Sequence, residues 1–164
     1  MAKHADKHVE KKTNAMRELD TSGQSYQAHW FECPEALSGV EVAHLLKEDS
    51  DCVFKTLVTV GKSGDHYVFM IPVALELDLK KAAAVVGEKA ISMVKSKELL
   101  GLTGYVHGGC SPLGMKKRFV TTIDESAALY ETIFFSGGKI GCQIETSLDA
   151  LKAVLPVGEA DLTA

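Results

Sequence analysis

The chain has 164 residues, 46% of them hydrophobic and 24% charged, and a formal net charge of −4. That length favours one domain with a core of its own, because a chain of this size buries roughly 68–70% of its unfolded surface and needs no staples. The acidic balance excludes a protein that grips nucleic acid by bulk charge, so any RNA contact must come from a local patch or be shared with a partner.

In chain order, the first helix is predicted from about Ala5 to Asp20, with Val9, Thr13, Met16 and Leu19 near one face and Thr21-Ser22-Gly23 as its stop. Ser25 to Glu32 reads as a strand. Ser38-Gly39-Val40-Glu41 is a capping box, opening a short helix with Val42, Leu45 and Leu46 facing inward. The clearest hairpin follows: Cys52 to Val60, the turn Gly61 to Asp65, and the return His66 to Val73. Asp78 caps a helix with Leu79, Ala82, Ala83 and Val86 on one face, closed by Gly87. Ala90 to Val94 is a short apolar strand, and Ser96 caps a helix ending near Thr103-Gly104. Beyond a glycine-rich loop, Arg118 to Ile123 reads as strand and Glu125 to Glu131 as helix. Thr132 to Phe135 and Ile140 to Glu145 read as strands around Ser136-Gly137-Gly138. Leu148 to Leu155 is the last helix, ended by Pro156. The expected organisation is one domain over residues 1–156 and a loose tail over 157–164.

Strands and helices are interleaved without a strict βαβ rhythm, and at least one hairpin is antiparallel. The fold class expected is α+β, a mixed sheet with helices packed around it. The hairpin strands are apolar on both faces, which fits a sheet covered on both sides or curled towards a barrel.

No apolar run approaches the ~20 residues of a membrane span, and Met1 to Glu10 lacks the apolar segment of a secretory signal. A cytoplasmic location is therefore expected. Cys33, Cys52, Cys110 and Cys142 form no CxxC pair and read as reduced thiols, with no structural zinc and no metal or other cofactor.

Lys55 is the one charge in an apolar strand. It is open to two readings: a lysine snorkelling to water at a sheet edge, or a lysine in a cleft aimed at an anionic or carbonyl ligand. The segment Gly104-Tyr-Val-His-Gly-Gly-Cys-Ser-Pro-Leu-Gly-Met-Lys-Lys-Arg118 is a tightly specified turn. Its glycines let backbone N–H groups approach a ligand, and Lys116, Lys117 and Arg118 stand ready for phosphates. It lacks the Gly-Lys-Ser/Thr ending of a Walker A loop. His107 and Cys110 raise a thiol nucleophile, but a His and a Cys three apart in one loop rarely meet in the required geometry. Ser136-Gly137-Gly138-Lys139 reads as a hairpin turn, or as a second small-residue loop lining the same cleft.

Three segments in this order resemble the YbaK/EbsC family of Cys-tRNA(Pro) deacylases, relatives of the editing domain inserted in bacterial prolyl-tRNA synthetases. They are Val53-Phe54-Lys55-Thr56-Leu57, Gly104-Tyr105 through Gly108-Gly109-Cys110-Ser111-Pro112-Leu113-Gly114 to Lys116-Lys117, and Ser136-Gly137-Gly138-Lys139. The likeness runs from about Ser25 to Leu155. It implies a strongly curled mixed sheet, or partial barrel, surrounded by helices. It implies an enzyme that releases cysteine misattached to proline tRNA, and a prolyl-tRNA synthetase complex as partner. The family's lysine maps onto Lys55 as the catalytic group. Its loop maps onto Gly108, Gly109, Cys110, Ser111 and Pro112, whose backbone holds the aminoacyl carbonyl and terminal adenosine. Phe31, Thr56, Ser136, Gly137 and Gly138 complete the implied substrate-binding set. In this family the substrate's own thiol attacks its carbonyl and leaves as a thiolactone, so no Ser-His-Asp set is required. Thr56 after Lys55 leans towards the cysteine branch. The sequence departs from the family at Gln143, where an aspartate is common, at Leu37 or Ser38, where an aromatic stands, and at Phe31 in place of tyrosine. These departures bear on amino-acid specificity, with Ala-tRNA(Pro) as the alternative substrate. A module that binds tRNA ends or a synthetase without catalysis is the reading from another class.

Overall fold

In the computed structural model, which describes residues 11–32 and 37–164, Thr13 opens the first helix. Its hydroxyl accepts the Met16 N–H, and α1 (Asn14–Thr21) buries Ala15, Met16 and Leu19. The helix predicted from Ala5 thus starts later among the described residues; its first six residues lie outside them. β1 (Gln27–Trp30) follows. The Ser38–Glu41 capping box forms in both directions and starts α2 (Gly39–Leu45). Val42 and Ala43 turn inward, while Leu45, expected inside, is exposed. β2 (Phe54–Gly61) and β3 (His66–Pro72) make the predicted hairpin. Asp78 accepts two backbone N–H groups at the start of α3 (Leu79–Val86), and Gly87 ends it in the left-handed region. β4 (Ile91–Met93) leads to α4 (Ser96–Thr103), whose cap position is Lys95 and not Ser96. β5 (Val120–Asp124) runs into a 3-10 turn over Glu125–Leu129, where a helix was expected. β6 (Ile133–Ser136), β7 (Cys142–Thr146), α5 (Leu148–Val154) and β8 (Val157–Ala160) complete the chain.

The strands divide between two sheets, ordered β1-β7-β6 and β4-β2-β3-β5-β8. The α+β class holds, but a single strongly curled sheet or partial barrel does not form; neither sheet closes. The doubly apolar strands that suggested closure are covered by helices instead. Phe54 and Met70 enter a core shared with α1, α5 and the three-stranded sheet. On the other face, Phe69 and Ile71 pack on Ala82 and Ala83 of α3. A sheet covered on both faces has no need to curl upon itself.

Residues 157–164 are not a loose tail. β8 pairs in parallel with β5 from Thr121↔Val157 to Asp124↔Ala160. Leu162 is fully buried against the α3 core, its N–H donates to Asp124 Oδ1 at 3.0 Å, and its C=O accepts the Asp78 N–H at 2.8 Å. Pro156 stops α5 but leaves an edge strand free to follow, which made the helix end look like the domain end. Leu162→Ala should destabilise the protein by about 2–5 kcal/mol, the cost of a buried leucine truncation. Urea unfolding followed by far-UV circular dichroism measures it as a lower midpoint at unchanged slope.

Candidate functional site

The site begins as a gap in a sheet edge. β3 pairs with β2 along its whole length, from Phe54↔Pro72 to Val60↔His66. The opposite edge of β2 is shared. β4 takes its end, at Thr59, Val60 and Gly61. Just ahead of its start, Val53 makes one parallel bridge to Phe134 of β6. Val94 adds a last bond, its N–H donating to the Val58 C=O at 3.2 Å. Between these attachments no ladder joins the edge among the described residues, and an apolar cleft opens there, lined by every residue from Val53 to Val58. Its other walls are α2 with the residues before it (Leu37, Ser38, Val42), the β4–α4 segment (Met93, Val94, Ser96, Leu99), the loop residues His107, Gly108 and Cys110, and Ser136 with Gln143. Its volume is about 230 Å³, below the roughly 300–1,000 Å³ of pockets that enclose a drug-sized molecule. It has room for one end of a large substrate.

Lys55 is half-buried and lines this cleft. It shares a face with Val53, which packs against α2, and Leu57, which packs against the α3 core. It therefore sits between two helix-covered patches and meets the cleft, and it enters no ion pair among the described residues. Gln143 stands opposite Ser136 in the β6–β7 register. Two buried side-chain oxygens on the cleft, Thr56 Oγ1 and Gln143 Oε1, have no hydrogen-bond partner among the described residues.

The glycine-rich loop is fixed from within. Tyr105 donates its phenolic hydrogen to the Leu113 C=O at 2.6 Å, Glu18 of α1 accepts the Gly114 N–H at 2.9 Å, and Ser111 Oγ accepts the Leu113 N–H. Gly108 has φ +87°, the left-handed region that a side chain disfavours. Gly109 is pressed against the next loop: a Cβ there would lie 3.0 Å from the Ile140 nitrogen. Its N–H is used on the Val106 C=O. Of this loop, His107, Gly108 and Cys110 line the cleft.

Burial pushes the Cys110 thiol up to about 12, against the smaller opposing effect of a hydrogen bond with Thr103. A thiol kept protonated by burial is a weak nucleophile at neutral pH. His107, exposed on the same loop, makes no hydrogen bond with it. Cys142 is likewise pushed up to about 12 by burial. Among the described residues no group of three or more His, Cys, Asp or Glu is placed to hold a metal ion.

Of the residues singled out from sequence, Lys55, Thr56, Gly108, Cys110 and Ser136 meet on the cleft. Gly109, Ser111, Pro112, Gly137 and Gly138 do not line it. Ser111 and Pro112 are buried beneath the loop, Gly137 lies against Cys142 Sγ, and Gly138 lies on the Tyr105 ring. They hold the walls in place. Phe31 is half-buried after β1, its N–H donating to the Gly141 C=O, and is not a lining residue. Met93, Val94 and Leu99 form a wall that no motif announced. Their apolar character was visible; that β4 would pair only with the far end of β2 was not.

The architecture defines the class: an α+β domain with a small apolar cleft walled by a braced glycine loop and a half-buried lysine. The family profile of the aminoacyl-tRNA editing domain matches residues 33–154. EbsC of Enterococcus faecalis, a candidate Cys-tRNA(Pro)/Cys-tRNA(Cys) deacylase, is 42% identical over 160 residues, covering 97% of this chain and 98% of that one. The crystal structure of a hypothetical protein superposes with a TM-score of 0.84 at 20% identity, over 93% of this chain and 100% of that one. A candidate trans-editing enzyme for prolyl tRNA synthetase superposes with a TM-score of 0.81 at 24% identity, over 94% and 99%. This chain belongs to the aminoacyl-tRNA editing domain family.

The Cys110 environment has a direct readout. In the native protein at pH 8, iodoacetamide should leave Cys110 unmodified, and it should react fully once the chain is unfolded in urea. Peptide mass spectrometry after digestion measures both, and no cysteinyl adduct should be found on Cys110 after turnover.

Proposed function

We propose that this chain edits aminoacyl-tRNA in trans, releasing cysteine from mischarged proline tRNA, with Cys-tRNA(Cys) as a further substrate. The observation that carries the reading is the meeting of Lys55, Gly108 and Cys110 on one small cleft, in a chain 42% identical to EbsC along nearly its whole length.

An aminoacyl ester is already activated, so the protein needs to orient it more than to attack it. The cleft takes the aminoacyl end, and the rest of the tRNA stays outside. The Gly108 and Cys110 N–H groups are the donors available on the loop for the oxygen that becomes negative as the carbonyl is attacked. Lys55 adds a positive charge beside the ester or the terminal phosphate. The nucleophile is the substrate's own thiol, whose unperturbed pKa near 8.5 leaves a useful thiolate fraction at neutral pH. The sulfur–carbon bond forms, the ester carbon–oxygen bond breaks, and the terminal ribose oxygen leaves with the proton the thiol gave up. Water then opens the released thiolactone to cysteine. Serine, with a far less acidic group, is a poor substrate for this route.

The net charge of −4 is compatible with an RNA substrate because cations gather near the cleft. Lys95 and Lys97 flank the lining residue Ser96, Lys116 lies over Gly104, and Lys139 adjoins Gly109. All four are exposed, and none is in an ion pair among the described residues. So few phosphate contacts give modest tRNA affinity, which favours delivery of the substrate by a prolyl-tRNA synthetase complex. The location that suits this activity is the cytoplasm. No helix among the described residues is long and apolar enough to cross a membrane.

Deacylation of Cys-, Ala- and Ser-charged proline tRNA by the purified protein tests the proposal. Cysteine should be released fastest, and Lys55→Ala should lower the rate by about 100-fold, the scale for losing one group that stabilises the transition state. Preference for the alanyl ester would move the substrate to the other branch. Inertness towards all three, with intact tRNA-end binding, would make the chain a binding module.

A further inference from the structure

The unpaired stretch of β2 offers more than a wall. In an antiparallel pair, directly opposite residues alternate between those that exchange both backbone hydrogen bonds and those that exchange none. The Val73 N–H donates to the Val53 C=O, and the Gly61 N–H donates to the Asp65 C=O. Odd-numbered residues of β2 therefore turn their backbone groups towards β3. Even-numbered residues turn theirs to the other edge, as the bond from the Val94 N–H to the Val58 C=O shows. Thr56 lies between that bond and the Val53–Phe134 bridge. Its N–H and its C=O both turn to the cleft edge, where among the described residues β4 pairs only with Thr59 to Gly61 and β6 bridges only to Val53, so no ladder reaches Thr56. Its Oγ1 is buried without a partner among the described residues.

We infer that Thr56 holds the aminoacyl group as a strand holds its neighbour. This inference rests on the deacylase reading. An aminoacyl ester carries an amine and a carbonyl on either side of one carbon, as a strand residue does. Set beside Thr56, the α-amino group donates to the Thr56 C=O and the ester carbonyl accepts from the Thr56 N–H. The result is one residue of added strand, filling the place between β4 and β6. The match is to the constant part of an amino acid, so it fixes the scissile carbonyl without reading the side chain. The substrate's thiol and the apolar walls Val58, Leu99 and Cys110 are left to do that. The carbonyl polarised by Thr56 then lies between Lys55, one residue away along the strand, and Gly108 across the cleft. Thr56 is thereby a backbone contributor to catalysis, a role that its side chain alone does not reveal.

The N–H is removed by Thr56→Pro, which leaves the β2–β3 ladder intact because that N–H faces away from β3. Single-turnover release from Cys-tRNA(Pro) is compared with release from the same tRNA carrying 3-mercaptopropionate, which keeps the thiol and lacks the α-amino group. Each rate is divided by its spontaneous rate, so that the inductive effect of the amine cancels. The wild-type acceleration should fall at least 10-fold without the α-amino group. Thr56→Pro should lose at least 10-fold more than Thr56→Val on the cysteinyl ester, and the two losses should combine to less than their product. If Thr56→Pro does not fold, as judged by circular dichroism, the α-hydroxy analogue of threonine at position 56 removes the N–H alone and carries the same expectation. Equal acceleration of the two esters, or a backbone variant within threefold of Thr56→Val, overturns the pairing while the deacylase reading stands. A wild-type protein inert on Cys-tRNA(Pro) overturns both.

Discussion

The edge of β2 cannot be paired along its whole length, and the rest of the molecule is arranged around that shortfall. One strand has two claimants on the same side: β4 at its end and β6 at its start. Each belongs to a different path of the chain, and a single bridge is all that joins the three-stranded sheet to the five-stranded one. Unpaired backbone is normally covered or blunted, because it invites association with other strands. Here it is kept at the bottom of a cleft, where helices and the glycine loop guard it and only a small group can reach it.

The remaining structure keeps this opening rigid. Thr103 Oγ1 donates to the Leu99 C=O at 2.8 Å and accepts the Tyr105 N–H at 3.0 Å, so α4 and the loop turn as one piece. Tyr105 carries the link on to Leu113, and Glu18 ties the far end of the loop to α1. A site that works by orientation needs this stiffness more than it needs a reactive side chain, since small misplacements of the reacting atoms are expensive in rate. The electrostatics agree. Among the described residues, burial pushes up the thiol that lines the cleft, Cys110, and no Asp or Glu lines it.

Sequence and structure meet unevenly, for reasons that can be traced to particular residues. Local chemistry was legible. The Ser38 capping box, the Asp78 and Gly87 ends of α3 and the Gly61–Asp65 hairpin all form as read, because each depends on contacts within a few residues. Lys55 and the Gly108 loop were legible as an oddity and a tight turn, and the fold brings both to one cleft. What failed was non-local. The last eight residues looked loose because their partners, Asp124 and Asp78, are far away in sequence. The curled sheet failed because doubly apolar strands are equally served by helices on both faces. The glycines of the two loops looked alike, yet Gly108 lines the cleft while Gly109 and Gly138 are packing positions whose neighbours only the fold supplies.

Thr56 shows why side-chain motifs understate a site of this kind. From sequence it is a small polar residue beside a lysine, a weak signal in any strand. Its neighbours Lys55 and Leu57 have the same strand geometry, but their backbone groups are occupied by β3. Only parity along β2, together with the place where β4 stops and β6 begins, leaves position 56 open. A substitution that preserved the hydroxyl but slipped the register by one residue would turn these groups to the wrong edge. The specificity of the fold for its function therefore lies in strand register as much as in residue identity. It also follows that the hairpin turn at Gly61–Asp65, well outside the cleft, helps to set its edge, because that turn fixes which residues of β2 turn their backbone to β3 and which to the cleft.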